Sequence, residues 1–189
     1  MFIASEANEV GLLRNLFLAA VPLFWSHIFQ WAIMNNRPIA TITSFLLWLL
    51  FLPNAPYMVT DLIHLAPRAH VPIWFLLAMF MTCASTGVFL GYQSLLTVQH
   101  VIEHRFNKTA GWSVAVSSLM LCGYGIYLGR ILRLNSWDAF VNPNYSIGVI
   151  AANLNTFPHP LEITLVFGFS LIIGYLALRS IATPICNES

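Results

Sequence analysis

Two pairs of residues in this sequence have the types and spacing needed to handle a phosphate group. Asp61 and His64 stand three positions apart, and a carboxylate that orients an imidazole is a general-base arrangement. Arg130 and Arg133 have the same spacing and would share a helix face, from which guanidinium groups bind phosphate through paired hydrogen bonds. No nucleophile stands out beside them, and without a glycine-rich phosphate loop nucleotide hydrolysis is not expected. The four residues indicate either lipid-phosphate binding or lipid-phosphate chemistry with His64 as the base.

A third group, the stretch from His100 through Glu103 to His104, fits the inverted zinc-protease pattern H-x-x-E-H. On a helix the two histidines would share a face, as zinc ligands must. A protease also needs a third ligand, and three further histidines are expected about 40 Å away, across a helix of about 27 residues. Those histidines are His64, His70 and His159. We therefore expect a chance occurrence of the pattern, and neither a metal nor another cofactor.

The composition excludes a soluble domain and indicates an integral membrane protein. Of the 189 residues, 58% are hydrophobic and 8% are charged, whereas a soluble domain carries roughly 25% charged residues. So few charges could not cover the surface of a water-soluble fold. The net charge of +1 provides no basic field, so nucleic acid is not expected as a partner. The cysteines form no disulfide framework, and we interpret Cys83 and Cys122 as buried small hydrophobes.

Five apolar stretches are long enough, or nearly so, to cross roughly 30 Å of hydrocarbon as helices. The predicted fold is an all-α polytopic membrane helix bundle, a single integral membrane domain over residues 1–189. The predicted spans are about 12–34, 39–64, 72–99, 110–132 and 161–182. Residues 139–160 are too interrupted by asparagine and proline to span, so a short interfacial or re-entrant segment is expected there. Its candidate apolar face consists of Tyr145, Ile147, Val149, Ile150 and Leu154.

The second span contains two prolines, Pro53 and Pro56, that cannot both belong to a regular helix. Each lacks an N–H group and crowds the carbonyl one turn back. In lipid an orphaned carbonyl costs several kcal/mol unless another group donates to it. Suitable donors within one or two turns are Asn54, Tyr57 and Thr60. We therefore predict a broken or kinked membrane helix whose polar lining faces protein rather than lipid.

Two GxxxG patterns predict where backbones approach closely. Gly87 and Gly91 belong to the third span, and Gly125 and Gly129 belong to the fourth. Glycines four apart on one helix face let a second helix pack tightly in lipid. The sequence therefore predicts close packing between spans three and four. The alternative is that these are scattered small residues without mutual pairing.

Five alternating spans bring the end of the broken helix and the stretch after span four to the same membrane face. An Asp61 pairing with Arg130 or Arg133 would there hold a carboxylate near the hydrocarbon edge. Such a pair is either a lock between helices alone or a lock that also lines a ligand site. Lys and Arg are divided four against four between the two faces, so the sequence assigns no orientation. The candidate ligand-binding residues are Asn54, Tyr57, Asp61, His64, Tyr127, Arg130, Arg133, Asn135, Trp137 and Asp138.

Two long motifs in a fixed order carry a resemblance to a known family. The first is LPNAPY at 52–57 followed by TDLIH at 60–64, and the second is GIYLGR at 125–130 with Arg133 and NSWD at 135–138. Together with NLFLA at 15–19 and Pro22, they make the chain resemble the bacterial multi-pass membrane family catalogued as domain of unknown function thirteen sixty-one. The resemblance covers nearly the whole chain. It implies a multi-pass fold and a membrane address, and it implies no reaction.

The leading functional hypothesis is a non-enzymatic, multi-pass component of the cell membrane. Its charged cluster at one bilayer face would bind an anionic group, a lipid headgroup or a protein partner. The first alternative is a membrane-embedded enzyme acting on a lipid phosphate. The second is a small-solute transporter, because broken helices are a transporter device. Most single polar groups within the apolar runs are expected to serve as contacts between helices.

Overall fold

The computed structural model describes residues 2–60, 72–134, 141–153 and 160–182, with side chains between Leu13 and Ser180 within those ranges. In this part of the chain every regular element is a helix, which confirms the all-α prediction. The helices are α1 (Phe2–Met34), α2 (Pro38–Phe51), α3 (Asn54–Thr60), α4 (Ile73–Arg105), α5 (Lys108–Arg130), α6 (Pro143–Ala152) and α7 (Pro160–Ala182).

Five helical segments are long and apolar enough, by length and composition, to cross a membrane, which confirms the predicted multi-pass bundle. They are Leu13–Met34, Pro38–Thr60, Ile73–Arg105, Lys108–Arg130 and Pro160–Ser180. The third differs from its predicted end near residue 99, because α4 continues to Arg105. At 1.5 Å per residue its 33 residues extend about 50 Å, more than the hydrocarbon core. The helix therefore tilts or carries its last turns beyond that core.

The predicted break in the second span is confirmed at Leu52 and Pro53, which separate α2 from α3. In an unbroken helix the carbonyl of Leu52 would accept the N–H that Pro56 lacks. Here it accepts instead from the backbone N–H of Ala55, at 3.2 Å. Of the predicted side-chain donors, Thr60 donates its hydroxyl to the carbonyl oxygen of Tyr57 at 2.6 Å. The carbonyl that Pro56 leaves unpaired is therefore satisfied by a tighter backbone turn, and Thr60 bonds within α3 itself.

By its internal contacts the chain divides into two compact units, Met1–Trp112 and Ser113–Ser189, with the boundary inside α5. The first unit contains α1 to α4. The second contains most of α5, together with α6 and α7. The single-domain expectation from the sequence stays a prediction.

In the first unit, α1 packs most extensively against α2 and α4, and α3 packs against both α1 and α4. Ala55 and Met58 of α3 are buried together with Ala19 of α1 and with Phe80 and Ala84 of α4. Three of these five side chains are alanines, so the backbones approach closely, as they do where small residues line membrane-helix interfaces. The proline-broken segment is thus enclosed by protein, as its polar content requires.

The two glycines of α4 supply the closest of these approaches. A Cβ added at Gly87 would lie 2.7 Å from the carbonyl oxygen of Ala55 and 3.0 Å from the sulfur of Met58. At Gly91 it would lie 2.8 Å from the Cβ of Ala55. The sequence named span four as the partner of this glycine pair, and that was wrong: the partner is α3. A GxxxG pattern predicts that a backbone comes close, but it does not specify which backbone.

A polar contact joins α2 to α4 about one helical turn beyond Gly91. The indole N–H of Trp48, a fully buried side chain, donates to Ser94 Oγ at 3.2 Å. The Ser94 hydroxyl in turn donates to the carbonyl oxygen of Gly91 at 2.8 Å. Phe45 lies between Trp48 and Phe29 of α1, with ring centroids 5.5 and 5.6 Å away respectively. The α2 part of the broken span is therefore held by aromatic packing and one buried hydrogen bond.

In the second unit, α5 and α7 pack through a different glycine from the predicted pair. A Cβ at Gly123 would lie 2.5 Å from the carbonyl oxygen of Thr164 and 2.9 Å from the backbone nitrogen of Gly168. Gly168 in turn faces Met120 of α5. The pairing predicted for the glycines at 125 and 129 stays a prediction.

Candidate functional site

The ten predicted site residues fall into three groups. Tyr127, Arg130 and Arg133 lie in the second unit, at and just beyond the end of α5. Asn54 and Tyr57 lie in α3 of the first unit. The remaining five lie outside the described residues, so the predicted pairing of the acidic residue with an arginine stays a prediction. These five are Asp61, His64, Asn135, Trp137 and Asp138.

The end of α5 is built by backbone bonds that turn the chain sharply after Arg130. The carbonyl oxygen of Tyr127 accepts from the N–H of Ile131 at 2.9 Å and, less closely, from that of Leu132 at 3.4 Å. The N–H of Leu134 then returns to the carbonyl oxygen of Leu128 at 3.1 Å. These bonds satisfy carbonyls that would otherwise be orphaned at a helix end. The helix therefore ends at Arg130, and Arg133 lies beyond its end. The prediction that the two arginines share a helix face was wrong, because the chain leaves the helix between them.

Arg133 adopts a backbone conformation that arginine rarely takes. Its φ is +55°, and the only other non-glycine residue with a positive φ in the described part of the chain is Asn36, at +51°. Asn36 is a residue that tolerates the left-handed region. It ends α1 with the N–H of Asn36 bonded to Ile33 at 3.1 Å and that of Arg37 bonded to Ala32 at 2.9 Å, a Schellman motif. At Arg133 the same region costs about 1–3 kcal/mol.

Tyr127 connects the end of α5 to the end of α6. Its side chain is 2% exposed, and its hydroxyl donates to the carbonyl oxygen of Asn153 at 3.3 Å. The side-chain amide of Asn153 donates to the carbonyl oxygen of Val149 at 2.8 Å. The ring of Tyr124 stacks on that of Tyr127, with centroids 6.0 Å apart. The turns of α5 that precede Arg130 therefore carry two stacked rings, and a hydrogen bond joins one of them to α6.

The buried and exposed faces of α6 differ from the predicted apolar face. The inward stripe consists of Ser146, Val149, Ile150 and Asn153, at spacings of three and four. Tyr145 and Ile147, each 65% exposed, flank the outward face instead of sharing a side with Val149 and Ile150. The prediction grouped residues by hydrophobicity, but the 3.6-residue period places them on two sides of the helix. Leu154 lies outside the described residues.

The H-x-x-E-H stretch lies on the last turns of α4 and the histidine side chains are exposed. The rings of His100 and His104 are 5.9 Å apart between centroids. The carboxylate of Glu103 accepts from the side-chain amide of Gln99, which is 1% exposed, at 2.8 Å. Within the described ranges no group of three His, Cys, Asp or Glu could hold a metal ion. The interpretation of this stretch as a chance pattern stays a prediction.

The comparison that identifies the family comes from its sequence model. Residues 14–175 match the model described as protein of unknown function (DUF1361). The chain belongs to the DUF1361 family. This confirms the resemblance drawn from the two motifs, because the matched range includes both the proline break and the end of α5. No curated protein and no solved structure matches this DUF1361 chain.

Sequence reasoning missed two residues of the α5 end. Asn153 supplies the acceptor for Tyr127, and Tyr124 supplies the stacked ring. For Asn153 there was a usable signal, because Ser146, Val149 and Asn153 follow a helical stripe that ends in an asparagine. For Tyr124 the three-residue spacing from Tyr127 placed both rings on one face.

Proposed function

We propose that this DUF1361 protein is a non-enzymatic component of the cell membrane that binds an anionic group at the end of α5. Arg130 and Arg133 bind the anion, and Tyr127 forms the wall beside it. Guanidinium groups suit this task because they are always charged and pair with phosphate or carboxylate oxygens in a fixed geometry. The proposed site also includes five predicted residues outside the described part of the chain: Asp61, His64, Asn135, Trp137 and Asp138.

The observation that carries the proposal is the left-handed backbone of Arg133, whose side chain is exposed. A glycine at this position would remove the strain at no steric cost. Strained residues persist where the surroundings hold them, and they are concentrated at sites of binding. An arginine retained there is explained if its guanidinium group does something that glycine cannot do.

Retention of phospholipid through purification tests this proposal. The wild type, Arg133→Gly and Arg130→Ala are purified in mild detergent, and anionic phospholipid bound per chain is counted by native mass spectrometry. Arg37→Ala is the matched control, because Arg37 is exposed, follows a left-handed residue and lies in the first unit. We expect reduced retention in both site variants and unchanged retention in the control. Equal retention in all four proteins would refute anion binding at this site.

A further inference from the structure

The helix α6 is too short to cross a membrane, and its outward face has no charged side chain to interact with water. Its 10 residues extend about 15 Å, half of the hydrocarbon thickness. Residues 139–161 contain no Asp, Glu, Lys or Arg. The outward face of α6 is made of uncharged side chains, most of them apolar: Asn144, Tyr145, Ile147, Gly148, Ala151 and Ala152. An outward face without charge suits contact with acyl chains, so we place α6 in the plane of the bilayer interface.

The inward face of α6 fixes its position along α5. Ser146 is 8% exposed, and its stripe ends at Asn153, whose carbonyl oxygen accepts the hydroxyl of Tyr127. This hydrogen bond sets the C-terminal end of α6 beside the last turns of α5.

Arg130 lies about one helical turn beyond the residue of α5 that contacts α6. Arg130 follows Tyr127 by three residues, so its Cα is about 4.5 Å further along the axis of α5. The headgroup layer on each side of the hydrocarbon is roughly 5–8 Å thick. A guanidinium group displaced by that distance from an interfacial helix is at the depth of the lipid phosphates.

We infer that the anion bound at the end of α5 is the phosphate of a membrane phospholipid, which enters sideways from the bilayer along the outward face of α6. This inference rests on the proposed function. It narrows the ligand from any anionic group to the phosphate of a membrane phospholipid. The shared chemistry is a phosphate held by two guanidinium groups. Diffusion within the membrane supplies it, and the apolar face of α6 lies against its acyl chains.

A spin label tests the position of α6. Gly148 is a suitable attachment point, because a Cβ added there has nothing within 4 Å. The label is placed by Gly148→Cys in a background with Cys83→Ala, Cys122→Ala and Cys186→Ala, and the protein is reconstituted into phospholipid vesicles. We expect the label to collide more with oxygen than with a water-soluble nickel chelate. A label at Arg37→Cys, in an exposed turn, should show the reverse. A water-exposed label at 148 would overturn the inference.

Competition between two phosphate sources tests the ligand. Wild-type protein carrying bound anionic phospholipid is exposed to excess inorganic phosphate, and remaining lipid is counted by native mass spectrometry. We expect the lipid to remain, and Arg133→Gly to lower lipid affinity roughly fivefold, the effect of one basic residue near a charged surface. Displacement of the lipid by inorganic phosphate would overturn the inference while leaving the proposed anion site intact. Lipid binding that Arg133→Gly does not change would overturn the inference, and binding of inorganic phosphate that this substitution also leaves unchanged would overturn the anion site as well.

Discussion

Tyr127 and Asn153, 26 positions apart in the sequence, are joined by a hydrogen bond of 3.3 Å between the tyrosine hydroxyl and the asparagine carbonyl oxygen. This bond ties the short helix α6 to α5 one turn before Arg130. The same tyrosine closes the end of α5 through its own carbonyl, which accepts from Ile131 at 2.9 Å. Tyr127 therefore fixes both the position of α6 along α5 and the backbone turn that follows Arg130.

Removing the hydroxyl of Tyr127 should loosen α6. We expect Tyr127→Phe to lower the free energy of unfolding by about 1 kcal/mol, because a buried acceptor loses its donor. A spin label at residue 148 should become more mobile in the same variant. Tyr124→Phe is the matched control, since the ring stack remains and the bond from Tyr127 to Asn153 is untouched. Equal label mobility in both variants would contradict the positioning role of Tyr127.

The close approach of α4 to α3 should not tolerate an added methyl group. We expect Gly87→Ala to destabilise the protein by about 1–3 kcal/mol, because the new Cβ would meet the backbone oxygen of Ala55. Gly148→Ala has open space around it and should be neutral or stabilising by up to about 1 kcal/mol. Unfolding in mixed micelles at increasing SDS measures both. A harmless Gly87→Ala would contradict the close approach of Gly87 to the carbonyl oxygen of Ala55.

The buried bond between α2 and α4 should contribute measurably to stability. We expect Ser94→Ala to cost about 1–2 kcal/mol, because the indole N–H of Trp48 loses its acceptor in an apolar surrounding. Ser85→Ala offers a control on the same helix, where the exposed hydroxyl donates only to the carbonyl of Met81. The same SDS titration compares them. A Ser85→Ala cost as large as that of Ser94→Ala would contradict a specific role for the Trp48 contact.

Relief of strain at Arg133 should separate stability from binding. Arg133→Gly should raise the free energy of unfolding by about 1 kcal/mol, because glycine adopts a positive φ freely. Arg133→Ala keeps the strain and should stay near the wild type or below it. Both variants should lose lipid affinity, because both lose the guanidinium group. A glycine variant that is less stable than the alanine variant would contradict the left-handed backbone.

Local chemistry made some of this fold predictable from the sequence. The break at Leu52 and Pro53 follows from two missing N–H groups, and the five spans follow from the lengths of the apolar runs. The first two predicted spans leave a short connection at residues 35–38, and the structure makes the turn there through the left-handed Asn36. These features depend on groups within one or two turns of each other.

The features that escaped prediction depend on residues far apart in the chain. Gly87 indicates that another backbone comes close. That this backbone is the one at Ala55 depends on the packing of α3 against α1 and α4. Val149 and Ile150 turn inward because α6 packs along a helical stripe, which a list of hydrophobic residues does not show. The positive φ of Arg133 had no sequence signal, since arginine is an unusual residue for that conformation.

The most direct test of an anion site at the end of α5 is the rise in melting temperature that anionic phospholipid produces in detergent. A ligand that binds only the folded state raises this temperature, and the rise grows with the logarithm of its concentration divided by its Kd. We predict a lipid-dependent rise for the wild type and for Arg37→Ala, and a much smaller rise for Arg133→Gly, even though its melting temperature without lipid is equal or higher. An Arg133→Gly protein that responds to the lipid as strongly as the wild type would contradict the proposed site.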